Sequence, residues 1–271
     1  MIAKLFVKLC EIPWARRLLW KRWYQFLAGR FRSEGWTFMN YGYQPLGADV
    51  PRLELDPADE VDRYSIQLYH RVAAAVGPLG ERDVLEVGSG RGGGTAYVHR
   101  YLKPRSIVGA DFSKAATDLA QARFGGGSLR YVEGDAGNLP FEAGTFDVVL
   151  NVESSHCYPS RPKFFSEVMR VLRPGGRLSL VDMFLDDELA AMPAMLTGAG
   201  LVIDRVEDIS PGVVEGLRLD GPHREALIAA NAPKALAPVA KSFAGTEGSD
   251  VFTSLANGRL KYVVFEATRP A

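Results

Sequence analysis

The segment whose residue types and spacing point first to chemistry is Val84-Leu-Glu-Val-Gly-Ser-Gly-Arg-Gly-Gly-Gly94, which contains Glu86-x-Gly88-x-Gly90-x-Gly92. It follows an apolar run and opens a helical pattern. Glycines there let the backbone turn sharply and let a ligand approach without a Cβ in the way. Gly88, Gly90 and Gly93 also satisfy the GxGxxG spacing of dinucleotide sites, so the loop alone indicates only a nucleotide-like ligand. Asp111 ends the next apolar run, at the spacing where a carboxylate accepts hydrogen bonds from ribose hydroxyls; a plain helix cap is the alternative. Two further segments follow, Glu133-Gly-Asp135-Ala136-Gly-Asn-Leu-Pro-Phe141 and Gly144-Thr-Phe-Asp147-Val-Val-Leu-Asn151. A nicotinamide enzyme has no need of this pair.

His156 comes just after the fourth apolar run, where loops at the carboxyl edge of a parallel sheet collect ligands. An imidazole, with an unperturbed pKa of about 6.5, suits removal of a proton from a hydroxyl. His70 and His99 read as structural, and Cys157 reads as an inert thiol without a basic neighbour. No His, Cys and carboxylate cluster has metal-ligand spacing, so no metal is expected.

The elements that must position these residues are legible from periodicity. Strands are predicted at Val84–Val87, Ser106–Ala110, Leu129–Glu133, Phe146–Val152, Arg177–Phe184, Leu201–Ile209 and Leu260–Ala267. Helical patterns occupy Asp59–Val76, Gly94–Leu102, Ala115–Phe124, Arg161–Leu172, Asp187–Gly200 and His223–Asn231. This alternation predicts an α/β fold, a Rossmann-like, mostly parallel sheet of seven strands with helices on both faces. An N-terminal helical region and an insertion before the last strand are added to it. The expected organisation is an N-terminal helical or lid region over 1–80, a ligand-binding core over 81–209 and 259–271, and an insertion over 210–258 that forms a substrate lid.

The chain has 271 residues and equal numbers of basic and acidic side chains, 32 each, which argues against a dedicated nucleic-acid partner. Two widely separated cysteines, Cys10 and Cys157, fit a reducing cytoplasm. The opening Met-Ile-Ala-Lys-Leu-Phe-Val-Lys is too interrupted for a signal segment, and no run approaches the roughly 18 apolar residues of a membrane span. Residues 1–32 interleave Trp14, Leu18, Leu19, Trp20, Trp23, Phe26 and Leu27 with Lys4, Lys8, Arg16, Arg17, Lys21, Arg22, Arg30 and Arg32. Such a helix packs on the domain or over the mouth of its site; a second reading lays it on an anionic membrane surface. The expectation is a cytoplasmic protein, with peripheral membrane contact through 1–32 on the second reading.

Taken together, the glycine loop, Asp111, Gly-Asp135-Ala136 and Phe164-Phe-Ser-Glu-Val-Met-Arg-Val-Leu-Arg-Pro-Gly-Gly176 resemble the class I methyltransferases that use S-adenosyl-L-methionine. The resemblance covers about Asp83 to Phe184 plus the terminal strand. It implies that Glu86, Gly88, Ser89, Gly90 and Gly92 wrap the methionine end of the cofactor. Asp111 binds the ribose and Asp135 the adenine amino group with Ala136 beside it, while Phe112 and Asn151 complete the cofactor-binding set. A narrower resemblance, through Tyr41-Gly-Tyr43, Leu68-Tyr69-His70 and Asn151-Val-Glu-Ser-Ser-His-Cys-Tyr-Pro159, is to mycobacterial phthiotriol and phenolphthiotriol dimycocerosate O-methyltransferases. Sterol C-methyltransferases and natural-product sugar O-methyltransferases share parts of it. It implies a small-molecule lipophilic acceptor, His156 as general base, Asp182 as its partner, and acceptor contacts at Glu153, Tyr158, Tyr41 and Tyr43. The competing expectations are C-methylation of a polyprenyl or sterol-like alkene, a cofactor-binding protein without catalysis, and a nicotinamide oxidoreductase.

Overall fold

The computed structural model describes residues 37–47, 50–231 and 237–271. The basic aromatic segment 1–32 therefore lies outside the described residues. Seven strands form one sheet: β1 (Asp83–Val87), β2 (Ser106–Asp111), β3 (Leu129–Glu133), β4 (Phe146–Val152), β5 (Leu172–Phe184), β6 (Val202–Asp208) and β7 (Lys261–Thr268). Their order is β3-β2-β1-β4-β5-β7-β6, with β7 antiparallel to both of its neighbours and the other pairings parallel. The direction of progression reverses between β1 and β4, which opens a crevice at the carboxyl ends of those strands.

The helices are α1 (Arg63–Ala74), α2 (Gly93–Tyr97), α3 (Lys114–Phe124), α4 (Arg161–Val171), α5 (Asp186–Gly198), α6 (Ser210–Asn231), α7 (Ala237–Phe243) and α8 (Asp250–Ala256). Ile66, Val72, Tyr97, Ala120, Val213 and Phe252 from α1, α2, α3, α6 and α8 pack on one face of the sheet. Phe164, Phe165, Val168, Met192 and Leu196 from α4 and α5 cover the other. Local chemistry marks the helix starts: the Ser113 hydroxyl accepts from the Ala116 N–H, and Ser160 does the same for Lys163 ahead of Pro162. Among the described residues no helix is long and apolar enough to cross a membrane.

Two elements differ from expectation. The Arg173-Pro-Gly-Gly turn belongs to β5, because Gly175 N–H donates to Arg269 O (2.9 Å) and Arg269 N–H to Gly176 O (2.8 Å), extending the pairing. The helix expected from His223 instead begins at Ser210 and contains Gly212, Gly216 and Pro222. Tyr43 explains it. A Cβ on Gly212 would fall 2.3 Å from the Tyr43 ring, and one on Gly216 would fall 3.0–3.1 Å from its backbone. Close packing on the connector thus outweighs the poor helix propensity of glycine.

Each residue of the triple glycine faces a different neighbour. A Cβ would meet Ala120 and Tyr131 at Gly92 (2.6 and 2.9 Å), Thr37 at Gly93 (2.5 Å) and the Tyr69 ring at Gly94 (1.8 Å). Tyr69 has little room to retreat, since its hydroxyl is bonded to Glu86. Gly94→Ala should therefore cost about 1–3 kcal/mol by overpacking, read as a lower urea midpoint. Gly221→Ala, whose Cβ meets nothing within 4 Å, should leave the midpoint unchanged or slightly raised. An unchanged midpoint in Gly94→Ala would show that α1 can move away.

Candidate active site

The crevice between β1 and β4 is a cavity lined by the glycine loop, the ends of β2 and β4, the turn after β3, and the connector. The loop must pass close beneath its neighbours: a Cβ on Gly88, whose φ is +82°, would lie 2.2 Å from the Ser154 hydroxyl. Asp111 accepts from the Gly90 N–H at one oxygen and the Ser113 N–H at the other, both at 2.8 Å. Burial raises its pKa, and those two N–H groups oppose the rise. Asp135 accepts from the Gly137 N–H (2.9 Å) and so shapes the turn that brings Ala136 to the cavity.

Nine of the expected site residues line this cavity: Gly88, Ser89, Gly90, Asp111, Phe112, Asp135, Ala136, Glu153 and Tyr158. Other expected residues lie behind it. Glu86 is fully buried under the loop, its two oxygens bonded by the Tyr69 hydroxyl (2.7 Å) and the Thr95 hydroxyl (2.5 Å). Burial pushes its carboxyl up to about 7, with those two bonds opposing and Asp111 adding to the rise. Gly92 is a packing position. Asn151 is buried, with Nδ2 at 2.8 Å from Val87 O, the Ser154 hydroxyl and the Tyr158 hydroxyl, so it joins β1 to the loop after β4. Tyr43 is a wedge between the connector and α6, and Tyr41 gives its N–H to Glu153 (2.7 Å).

His156 and Asp182, distant in sequence, come together. His156 sits in a 3-10 turn (Ser155–Cys157) after β4, and Asp182 near the end of β5. His156 Nδ1 is 2.7 Å from Asp182 Oδ1; the His156 N–H and the Ser155 hydroxyl both donate to Oδ2, and the Met183 N–H donates to Oδ1. Asp182 is wholly buried and His156 is part-exposed. Burial opposes the charge on each. For His156 the Cys157 sulfur and the Asp182 carboxylate outweigh it and hold the ring well above its ordinary value. For Asp182 the charge and hydrogen bond of His156, with Ser155 and Met183, hold the carboxyl below the usual range. With the proton on Nδ1 toward Asp182, Nε2 carries the lone pair when the ring is neutral. Neither side chain is itself in the cavity wall, but Ser154 before the turn and Cys157 at its end are. The expectation that Cys157 has no basic neighbour is corrected, since the His156 ring beside it is held charged in part by the Cys157 sulfur.

The sequence reading missed Thr37, Phe38, Met39, Asn40, Tyr69 and Arg91 in the lining. The connector carries no periodicity to mark it, and Tyr69 stands only within the Leu68-Tyr69-His70 resemblance, with no role attached. None of residues 210–258 is in the described lining; α6 reaches the site through the connector, where Arg224 donates to Asn40 O (3.0 Å). His70 bonds the Tyr97 hydroxyl and His99 the Ser128 hydroxyl, both away from the cavity. Among the described residues no group of His, Cys, Asp and Glu could hold a metal ion.

Residues 85–180 match the family model described as Methyltransferase domain. Over 252 residues the chain is 37% identical to the phthiotriol/phenolphthiotriol dimycocerosates methyltransferase of Mycobacterium tuberculosis, covering 93% of this chain and 92% of that one. This chain belongs to the S-adenosylmethionine-dependent methyltransferases. The methyltransferase is also 38% identical over 216 residues to a fatty-acid O-methyltransferase of Mycolicibacterium smegmatis, covering 79% of this chain and 77% of the relative. Among solved structures, the geranyl diphosphate C-methyltransferase of Streptomyces coelicolor A3(2), in complex with S-adenosyl-L-homocysteine, has a TM-score of 0.63 at 19% identity, covering 94% and 98% of the two chains; it shares the fold. Family membership sets the nicotinamide reading aside. The cavity fits the cofactor: bare backbone at Gly88 and Gly90, a carboxylate at the end of β2, and an aromatic ring, Phe112, beside it.

The dyad has a measurable signature. His156 should titrate above 6.5 by NMR, and Asp182→Asn should bring the midpoint down; an unmoved midpoint would remove Asp182 as the cause. Because the folded value exceeds the unfolded one, the His156 contribution to stability is full below about pH 6.5 and is lost as pH rises through the folded value. The Asp182 contribution runs the other way, present above about pH 4 and lost as pH falls through its depressed value.

Proposed function

We propose that this methyltransferase methylates a hydroxyl of a lipophilic, polyketide-like lipid or secondary metabolite, with His156 as general base and Asp182 as its orienting partner. The observation that carries the reading is the dyad: an imidazole 2.7 Å from a wholly buried carboxylate, flanked by residues of the cavity wall. The names of the relatives, a phthiotriol methyltransferase and a fatty-acid O-methyltransferase, support a lipid acceptor. So does the apolar part of the wall, with Phe38, Met39, Tyr69 and Val152.

S-adenosyl-L-methionine supplies an electrophilic methyl on a sulfonium. The chain's own work is to hold donor and acceptor in line, an effect worth on the order of 10⁵–10⁸ M in effective molarity. Gly88, Ser89 and Gly90 offer open backbone to the amino-acid end, Asp111 faces the ribose, and Asp135, Ala136 and Phe112 bracket the base. Glu86, Gly92 and Asn151 hold that loop in shape from behind. Neutral His156 takes the hydroxyl proton, and Asp182 stabilises the imidazolium that results. The insertion 210–258 braces the connector that walls the cavity, with Tyr41 and Tyr43 as the link. Tyr158 and Glu153 face the acceptor side.

A second reading has one observation in its favour. Phe38, Tyr69, Phe112 and Tyr158 together with the Glu153 carboxylate make a wall suited to a developing carbocation, as C-methylation of a polyprenyl or sterol-like alkene requires. Mass spectrometry of the product, locating the new methyl on oxygen or carbon, separates the two.

His156→Ala should lower turnover by about 10²–10⁴-fold while calorimetric affinity for S-adenosylmethionine stays nearly unchanged. In the wild type, kcat/KM should rise with pH through the raised His156 value, because only the neutral ring accepts a proton, and that limb should vanish in the variant. Retained turnover would end the assignment. If residues 1–32 dock the enzyme on a membrane, their deletion should abolish co-sedimentation with anionic liposomes; unchanged binding would overturn that role.

A further inference from the structure

Glu153 is an unusual residue on three independent counts. It is a non-glycine residue in the left-handed region, with φ +47°, a conformation that costs free energy and persists only where neighbours fix it. It is a carboxylate in the wall of the cofactor cavity, yet among the described residues no lysine or arginine pairs with it. Finally, its bonding is one-sided. Oε1 accepts from both the Tyr41 N–H and the Tyr262 hydroxyl, while Oε2 accepts from no described group.

Its place in the cavity is set by its neighbour. Ser154 is the residue against which Gly88 packs without a Cβ, so Glu153 lies where the first glycine of the loop meets the loop after β4. The groups that face it come from every surrounding element: Tyr41 from the connector, Tyr69 from α1, Tyr262 from β7, Asp182 from β5 and His156 from the 3-10 turn. Of these, His156 is the one cation, and its charge is already matched by Asp182. Glu153 therefore has no counter-ion of its own.

We propose that Glu153 is the counter-charge to the cofactor's sulfonium, so that this site holds the cationic donor in preference to the neutral product. Methyl transfer breaks the S–CH3 bond, leaves its electron pair on sulfur and forms the new bond from the acceptor's electron pair; the hydroxyl proton passes to His156 beside Asp182, so the positive charge leaves the sulfur that faced Glu153. A carboxylate that ionises only against that charge holds the donor more tightly than the spent thioether. Burial, which pushes the Glu153 carboxyl up to about 7 against the pull of Tyr262 and Tyr41, leaves both forms accessible near neutral pH. By linkage, donor binding must then release a proton.

The test is isothermal titration calorimetry of the full chain with S-adenosylmethionine and with S-adenosylhomocysteine, at pH 7, in two buffers of different ionisation enthalpy. The wild type should release about half a proton per donor bound and almost none per product. Glu153→Gln should abolish the release and cut the preference for donor over product on the order of tenfold. Tyr262→Phe, which removes a bond that favours the ionised form, should move the pH of maximal release upward and gives a second reading should Glu153→Gln not fold. Equal release with both ligands would overturn the proposal. So would release that survives Glu153→Gln but is lost in His156→Gln, since the proton would then belong to the imidazole.

Discussion

A carboxylate buried without water must be hydrogen-bonded, and the cofactor cavity is arranged around how Glu86 meets that demand. Its partners come from two different helices, Tyr69 on α1 and Thr95 on α2. To deliver its hydroxyl, the Tyr69 ring must lie across the start of α2, and only a bare backbone at Gly94 leaves room for it. That contact fixes α1 against the loop, and the adjacent Gly93 lets the connector close over the same backbone at Thr37. The shape of the ligand cradle thus follows from one buried acid and from the missing Cβ atoms around it.

Much of this architecture was legible in the sequence, because it rests on local periodicity and on glycine. The strands at Leu129–Glu133 and Phe146–Val152 match their predicted bounds, and Asp111 at the end of β2 and Asp135 in the turn after β3 stand in the cavity wall. The bridge between His156 and Asp182 joins residues that only the sheet brings together; resemblance pointed to it, and spacing alone could not. The connector was opaque for a physical reason. Thr37–Asn40 owe their position to what they lie against, the glycine loop and Arg224, and neither contact leaves a pattern in their own residues. Gly212 and Gly216 misled in the opposite sense: residues that ordinarily weaken a helix sit inside α6 because Tyr43 occupies the space their side chains would take.

The two acids Asp182 and Glu153 divide by their partners. Asp182 receives four donors and is held ionised, so it can fix the tautomer and orientation of His156 without itself changing state. Glu153 receives two donors on one oxygen and is left near the point of ionisation. One carboxylate is a fixed charge and the other a responsive one, although they share a neighbourhood and act on each other through it.

The antiparallel position of β7 has a consequence for the site. β7 lies between β5 and β6, although it follows both in the chain. β5 takes its second neighbour from the last strand of the chain, and among the described residues β6 pairs with β7 alone. Tyr262 rides on that strand. The β5–β7 pairing closes over the whole of α6, α7 and α8, which makes it one of the long-range contacts of the sheet. The glycine loop and Asp111 thus sit on the parallel half of the sheet, while the hydroxyl on Glu153 depends on its last strand.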